Sequence, residues 1–136
     1  MTIETKRVTL VWRDGLAFEG GEPGGPTTRI DGDNTTAPGP MLTLLLAAAS
    51  CTGADVAAML RKMRVELREL RIDAQGDRRE LEPRRYTAIR LEYYVAGDGL
   101  DEAKARRAID LSLEKYCSVI HSLAPDITLS YGLRLG

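Results

Sequence analysis

The feature that most constrains the fold is a leucine- and alanine-rich stretch from Met41 to Met63. It contains no proline, and its composition predicts a long α-helix that begins near Pro40, because proline is favoured in the first turn of a helix. Residues 44–49 are apolar on every side of such a helix, so every side needs cover. A small sheet covers one side. A second copy of the chain is expected to cover the other, which predicts an obligate homodimer.

The other segments read as strands and one further helical stretch. Between the first two strands, Arg13, Asp14 and Gly15 predict a hairpin turn of the Asp-Gly type. The apolar phase changes between Leu67 and Leu70, which indicates a bulge or a strand covered on both faces. The predicted strands are 8–12, 16–20, 27–31, 65–75, 86–97 and 126–136, and the second helical stretch is 101–123. This order, βββ-α-ββ-α-β, predicts the α+β class, with two buried helices packed on an antiparallel sheet of six strands.

Composition narrows the class of protein. A chain of 136 residues predicts a single domain, residues 1–136. Twenty acidic and nineteen basic residues argue against nucleic acid as a partner. The longest apolar run is well short of the roughly 20 residues of a membrane helix, and the N-terminal sequence lacks the apolar core of a signal peptide. We therefore expect a cytoplasmic protein without a membrane partner.

Several kinds of site are disfavoured by the residues present. One histidine and two distant cysteines do not supply the four ligands of a zinc site, so no metal is expected. The GGEPGG sequence lacks the lysine and glycine spacing of a phosphate-binding loop. No Gly-x-Ser-x-Gly elbow is present, which disfavours a serine hydrolase. In a reducing compartment, two cysteines do not predict a structural disulfide framework either.

The two cysteines lie on the apolar faces of the two predicted helical stretches. Cys117 shares the expected buried face of its helix with Ile109, Leu113, Tyr116 and Ile120. Such a cysteine is either a small apolar core residue or part of a redox pair. Because both helices face one core, the pair could come within the distance of a disulfide.

A redox pair needs a cation near the attacking thiol, because a lowered pKa generates the reactive thiolate. Cys51 lies in mid-helix, so the positive end of the helix is too far away to supply this effect. The candidates are Arg13 in the hairpin and Arg29 beside the loop that leads into the helix, although an arginine at such a position is more often an exposed turn or strand residue. His121 follows Cys117 by one helical turn and is either a partner for its thiolate or a bystander.

Two segments together identify a family resemblance. The sequences PMLTLLLAAASCTGADV and AIDLSLEKYCSV, with the VWRDG hairpin and the strand order, resemble the OsmC/Ohr family across nearly the whole chain. This family comprises osmotically inducible and organic-hydroperoxide-resistance proteins, and the SCTG(A/I)D form resembles its OsmC-like branch. The resemblance implies an intertwined α+β homodimer with an active site at each end of the dimer interface.

The resemblance also implies a chemistry and a set of residues. Cys51 would be the peroxidatic thiol of a thiol-dependent peroxidase for organic hydroperoxides, and Cys117 the resolving thiol. Arg13 matches the arginine that holds the thiolate in the Ohr branch. No cofactor is implied; a dithiol, either a lipoylated protein or thioredoxin, would return the electrons. A binding or redox-sensing dimer with weak or no peroxidase activity is the alternative function.

One position departs from the family pattern. Family members commonly carry a glutamate just after the proline, where it orients the arginine, whereas residues 41–43 are Met, Leu and Thr here. The carboxylates that could take its place are Asp14, Glu19 and Asp55.

Overall fold

The computed structural model describes residues 2–136. The chain divides into two compact units, one ending at Leu44 and the other comprising Leu45–Gly136. The helices and strands follow the predicted order βββ-α-ββ-α-β. Their bounds are β1 Thr9–Asp14, β2 Ala17–Gly21, β3 Thr27–Asp31, α1 Pro40–Lys62, β4 Glu66–Arg78, β5 Tyr86–Asp98, α2 Glu102–Leu111, a π-helical turn Ser112–Tyr116, α3 Ser118–Ser122 and β6 Thr128–Leu135.

The first unit is built on an antiparallel sheet in the order β1-β2-β3. Asp14 pairs with Ala17, so the hairpin turns at Gly15 and Leu16. The turn thus lies one residue later than predicted, because β1 continues through Arg13 and Asp14. Gly15 has a φ of 51°, a left-handed conformation that glycine adopts at little cost.

Asp31 organises the loop that leads from β3 into the first helix. It is buried, at 3% exposure, and its carboxylate accepts backbone hydrogen bonds from Asp33, Thr35 and Thr36. The hydroxyl groups of Thr35 and Thr36 donate to the same carboxylate, each at 2.9 Å. These bonds, the Thr36 and Asp33 amides above all, hold the pKa of Asp31 far below its ordinary value of 3.8.

We therefore expect Asp31→Asn to lower the stability of the protein at pH 7 more than at pH 3. A carboxyl group whose pKa is lower in the folded state stabilises the fold above its unfolded-state pKa, near 4. That contribution declines as the pH falls below about 4 towards the folded-state pKa. Urea unfolding at both pH values measures the difference between wild type and variant. A gap that is as large at pH 3 as at pH 7 would contradict this assignment.

The second unit contains a sheet in the order β4-β5-β6. The central strand β5 buries alternate residues, as its sequence predicts; these are Ile89, Leu91, Tyr93 and Val95. Strand β4 pairs with it in antiparallel fashion, and the register shifts between Leu67 and Glu69. This shift confirms the predicted bulge and explains the change of apolar phase along the strand.

The prediction of one antiparallel sheet of six strands is wrong. The strands form two sheets of three, and β6 pairs with β5 in parallel. The first three strands are joined by short connections and pair with one another. The helical segment between β5 and β6 is a crossover connection, which allows the chain to re-enter the sheet in the same direction.

Helix α1 agrees closely with the predicted helix. One of its faces is buried at three- and four-residue spacing, through Leu45, Ala48, Thr52, Val56 and Leu60. It contacts the second sheet closely at Gly53, where an added Cβ would lie 3.2 Å from Ile72 Cδ1. By length and composition α1 could also cross a membrane, but buried core helices meet the same criterion. Leu46, on another face, is 56% exposed in the single chain.

The second helical stretch is not continuous, contrary to the prediction. Helix α2 ends at Leu111, the π-helical turn follows, and α3 begins only after Cys117. The backbone of Cys117 is extended, with φ −72° and ψ 97°. Tyr116, expected on the buried face, is 48% exposed, because the extra residue of the π-helical turn shifts the helical phase.

Candidate redox site

The structure brings the two cysteines together. Cys51 lies in the middle of α1 and is half-buried, while Cys117 is fully buried. Both are free thiols, and the Cys51 side chain lies close enough to Cys117 to raise its pKa. The arrangement therefore provides two adjacent thiols, of which one is accessible from solvent.

The π-helical turn fixes the position of Cys117. Its backbone N–H donates to the carbonyl oxygen of Ser112 at 2.7 Å, the five-residue spacing of a π-helix. Cys117 is then the residue before the first turn of α3, and the N–H of His121 donates to its carbonyl oxygen. Single π-helical turns inside helices occur frequently at functional sites.

Burial raises the pKa of Cys117 to about 11, and the neighbouring Cys51 thiol and the Asp55 carboxylate act in the same direction. Cys117 is therefore a protonated thiol at neutral pH. Since the thiolate is the nucleophilic form, Cys117 is poorly suited to attack an external reagent first. Cys51 is the more exposed of the two thiols and is therefore the one that such a reagent reaches.

Iodoacetamide at pH 8 is accordingly expected to alkylate Cys51 and to leave Cys117 largely unmodified. At three pH units below its pKa, only about one Cys117 side chain in a thousand is a thiolate, and that side chain is buried. Peptide mass spectrometry after short reaction times gives the modified fraction at each site. Cys51→Ser provides the control, since the remaining thiol should then react only after unfolding in urea. Equal rates at the two sites of the native protein would contradict the assignment.

A chain of buried hydroxyl groups lies beside the thiols. The Tyr93 hydroxyl lies 2.9 Å from Thr52 Oγ1, which lies 2.8 Å from Ser112 Oγ. Ser112 Oγ in turn donates to Asp55 Oδ2 at 2.9 Å. Sequence reasoning did not assign these hydroxyl groups. The available signal was Thr52 and Asp55, two polar residues within the apolar helix, one and four residues after Cys51.

Arg13 lies in the first unit and is the extra residue of a β-bulge, between the pairs Trp12–Phe18 and Asp14–Ala17. Bulges redirect side chains and are frequent beside active sites.

Glu19 is the carboxylate beside this arginine. Glu19 Oε1 lies 3.6 Å from Arg13 Nε and 3.9 Å from Arg29 Nε. A hydrogen bond from Thr27, together with the two guanidinium groups, lowers the pKa of Glu19. Arg13 and Arg29 also line a cavity of about 170 Å³. Of the three carboxylates considered, Glu19 thus contacts the arginine, whereas Asp55 is bound to Ser112.

His121 is exposed and does not bond to Cys117 through its ring. Its Nε2 donates to the carbonyl oxygen of Leu113 at 3.0 Å. This contact favours the interpretation of His121 as a bystander.

Comparisons with known proteins cover both units of the chain. The family model described as OsmC-like protein matches residues 32–131. Protein YhfA of Escherichia coli K12 is 41% identical over 123 residues, which cover 88% of this chain and 92% of YhfA.

Solved structures show the same architecture. The crystal structure of a hypothetical protein from Aquifex aeolicus VF5 superposes with a TM-score of 0.88, at 30% identity, and covers 98% of each chain. The organic hydroperoxide resistance protein OhrB of Bacillus subtilis has a TM-score of 0.63 at 19% identity, with 96% of this chain and 98% of OhrB covered, and shares the fold. The family match, together with the similarity to YhfA and to the Aquifex protein, shows that the chain belongs to the OsmC-like protein family.

Proposed function

We propose that this protein is a thiol-dependent redox protein that reduces organic hydroperoxides through the Cys51–Cys117 pair. The observation that carries the proposal is the proximity of a half-buried and a fully buried free thiol. Family membership supports it, because the fold is shared with an organic hydroperoxide resistance protein.

The proposed cycle consists of three balanced steps. The Cys51 thiolate attacks the distal oxygen of the hydroperoxide; the O–O bond breaks, and the alkoxide takes a proton to leave as the alcohol. Cys117 then attacks the Cys51 sulfenic acid, which forms the disulfide and releases water. A dithiol, such as a lipoylated protein or thioredoxin, finally reduces the disulfide and is itself oxidised.

Arg13 is proposed to stabilise the Cys51 thiolate, and Glu19 to orient Arg13 in place of the missing glutamate. A guanidinium group close to a thiol favours its ionised form. The two short distances from Glu19 Oε1 support the orienting role.

We further propose that the protein acts as an intertwined homodimer in the cytoplasm. Support for the homodimer comes from apolar side chains that the single chain leaves uncovered: Leu10 is 56% exposed, Trp12 61% and Leu46 56%. Leu10 and Trp12 are alternate residues on one face of β1, and contiguous exposed apolar patches mark interaction surfaces. Sedimentation at micromolar concentration tests the dimer, and a stable folded monomer would refute it.

A second candidate function is a redox-sensing or binding dimer with weak or no peroxidase turnover. Two observations favour it. Residues 41–43 lack the carboxylate common in the family, and the chain is more similar to YhfA and the Aquifex protein than to OhrB. In this case the disulfide would form but would not be cycled rapidly.

Consumption of cumene hydroperoxide in the presence of a dithiol separates the two functions. The peroxidase is expected to turn over many times, Cys51→Ser to be inactive, and Cys117→Ser to be oxidised once. A sensor is expected to form the disulfide stoichiometrically with little further consumption. Wild-type consumption no greater than that of the double serine variant would refute the peroxidase function.

A further inference from the structure

Four residues connect α1 to the π-helical turn in a closed circuit. Asp55 follows Cys51 by one helical turn, so the two lie on the same side of α1. Ser112 donates through its hydroxyl to Asp55 and accepts through its carbonyl oxygen from the N–H of Cys117. Cys117 completes the circuit by its proximity to Cys51. Two side-chain hydrogen bonds, from Ser112 to Asp55 and between Thr52 and Ser112, thus tie the turn to the helix beside the thiols.

The carboxylate also fixes the direction of the buried hydroxyl chain. An ionised carboxylate only accepts hydrogen bonds, so the single hydroxyl proton of Ser112 is donated to Asp55. Thr52 must then donate to Ser112, and Tyr93 to Thr52. All three hydroxyl-bearing residues are completely buried, so each bond is shielded from water. The whole chain therefore ends at Asp55 and helps to hold Ser112 in place.

We propose that Asp55 is a positioning residue that, through Ser112, holds Cys117 against Cys51 and thereby sets the rate of disulfide closure. This inference rests on the proposed function for its biological role. In the closure step, Cys117 loses its proton, its sulfur bonds to Cys51, and the sulfenic hydroxyl leaves with a proton as water. No further oxidant or reductant is needed for this step.

The charge of Asp55 has a separate effect that the neutral amide would lack. Three titratable groups face Cys117: Cys51 and Asp55 from α1 and Tyr93 from β5. Beyond the effect of burial, the negative charge of Asp55 raises the pKa of Cys117. Removing that charge while the hydrogen bond is kept should lower this pKa and shift the pH profile of closure to lower pH.

The test compares Asp55→Asn, Asp55→Ala and Ser112→Ala with the wild type. Stopped-flow oxidation with cumene hydroperoxide, followed by quenching and mass spectrometry, gives separate rates for sulfenic acid formation and for disulfide closure. We expect the ratio of closure to oxidation to fall about 10- to 100-fold in Asp55→Ala and Ser112→Ala, as for other losses of positioning. Asp55→Asn should retain most of the closure rate, because its amide oxygen still accepts from Ser112.

Asp110 supplies the matched control. It accepts a hydrogen bond from the Tyr131 hydroxyl at 2.8 Å in the same unit, outside the circuit around the thiols. Asp110→Ala removes a comparable carboxylate–hydroxyl bond and should leave the ratio of closure to oxidation unchanged. An equal fall in Asp55→Ala and Asp110→Ala would overturn the positioning role, and an unchanged pH profile in Asp55→Asn would overturn the separate effect of the Asp55 charge.

A measurement without peroxide separates this inference from the proposed function. Oxidation by diamide, and equilibration of the disulfide with dithiothreitol, both report on the thiol pair alone. A wild type inactive towards hydroperoxide would refute the peroxidase, while slower diamide closure in Asp55→Ala would still support the positioning role. Closure by diamide at the wild-type rate in folded Asp55→Ala would overturn it.

Discussion

Replacement of Arg13 by methionine is expected to slow the oxidation of Cys51 by cumene hydroperoxide about 100-fold or more, the usual cost of losing one preorganised charged donor at a reacting group. Methionine keeps much of the side-chain length while it removes the guanidinium group. Because the thiolate is the attacking species, the loss should be largest at neutral pH and shrink at high pH. Single-turnover rates between pH 6 and pH 10 measure this dependence.

Two further variants identify which of Arg13, Arg29 and Glu19 affects the oxidation of Cys51. Glu19→Gln keeps the hydrogen bond capacity but removes the charge near both guanidinium groups, so we expect a smaller loss, on the order of 10-fold. Arg29→Met is the matched control, because Arg29 is also close to Glu19 Oε1. A greater loss in Arg29→Met than in Arg13→Met would transfer the role to Arg29.

Thr52→Val is expected to lower the free energy of unfolding by about 1–3 kcal/mol, the cost of leaving buried polar groups without partners. Valine matches the shape of threonine but removes the hydroxyl between Tyr93 and Ser112. The buried Tyr93 hydroxyl then loses the acceptor shown in the structure. Its pKa of about 12, raised by burial, indicates how poorly water reaches it. Urea unfolding at pH 7 measures the loss.

The double variant Thr52→Val/Tyr93→Phe provides the decisive comparison. Tyr93→Phe alone should cost about 1 kcal/mol, because it removes one hydrogen bond and leaves Thr52 bonded to Ser112. Once the tyrosine hydroxyl is absent, Thr52→Val leaves one buried polar group fewer without a hydrogen-bond partner. The double variant should therefore be at least about 0.5 kcal/mol more stable than the sum of the single losses predicts. Strict additivity would show that the hydroxyl groups are not coupled.

The elements with strong periodic patterns were predictable from the sequence. Residues 41–63 lack helix breakers and form α1 almost as predicted, and β5 alternates as expected. The arrangement of the strands was harder to predict, because pairing is a property of the whole fold. The parallel pairing of β6 nevertheless had a signal, since a helical segment of about twenty residues separates it from β5.

Parts of the candidate site were likewise predictable from the sequence, and other parts were not. The cysteines and the Arg13 hairpin could be identified from the sequence, whereas the break before Cys117 could not. Neither glycine nor proline interrupts the segment from Glu102 to Leu123, so local propensity favours an unbroken helix. The π-helical turn coincides with tertiary bonds at Ser112, whose partners on α1 are more than fifty positions distant in the chain. Tertiary contacts of this kind routinely override local propensity.

The position of Cys117 depends on the number of residues in the π-helical turn as well as on their identity. A π-helical turn is equivalent to an α-helix that has received one additional residue. If the same residues formed a continuous α-helix, Cys117 would lie about 100° further around the axis relative to Ser112. The side chain would then point away from Cys51 even though every functional residue was still present. Insertion of one further residue would rotate the cysteine by a similar angle, so relatives of this protein should tolerate substitutions within this turn more readily than insertions.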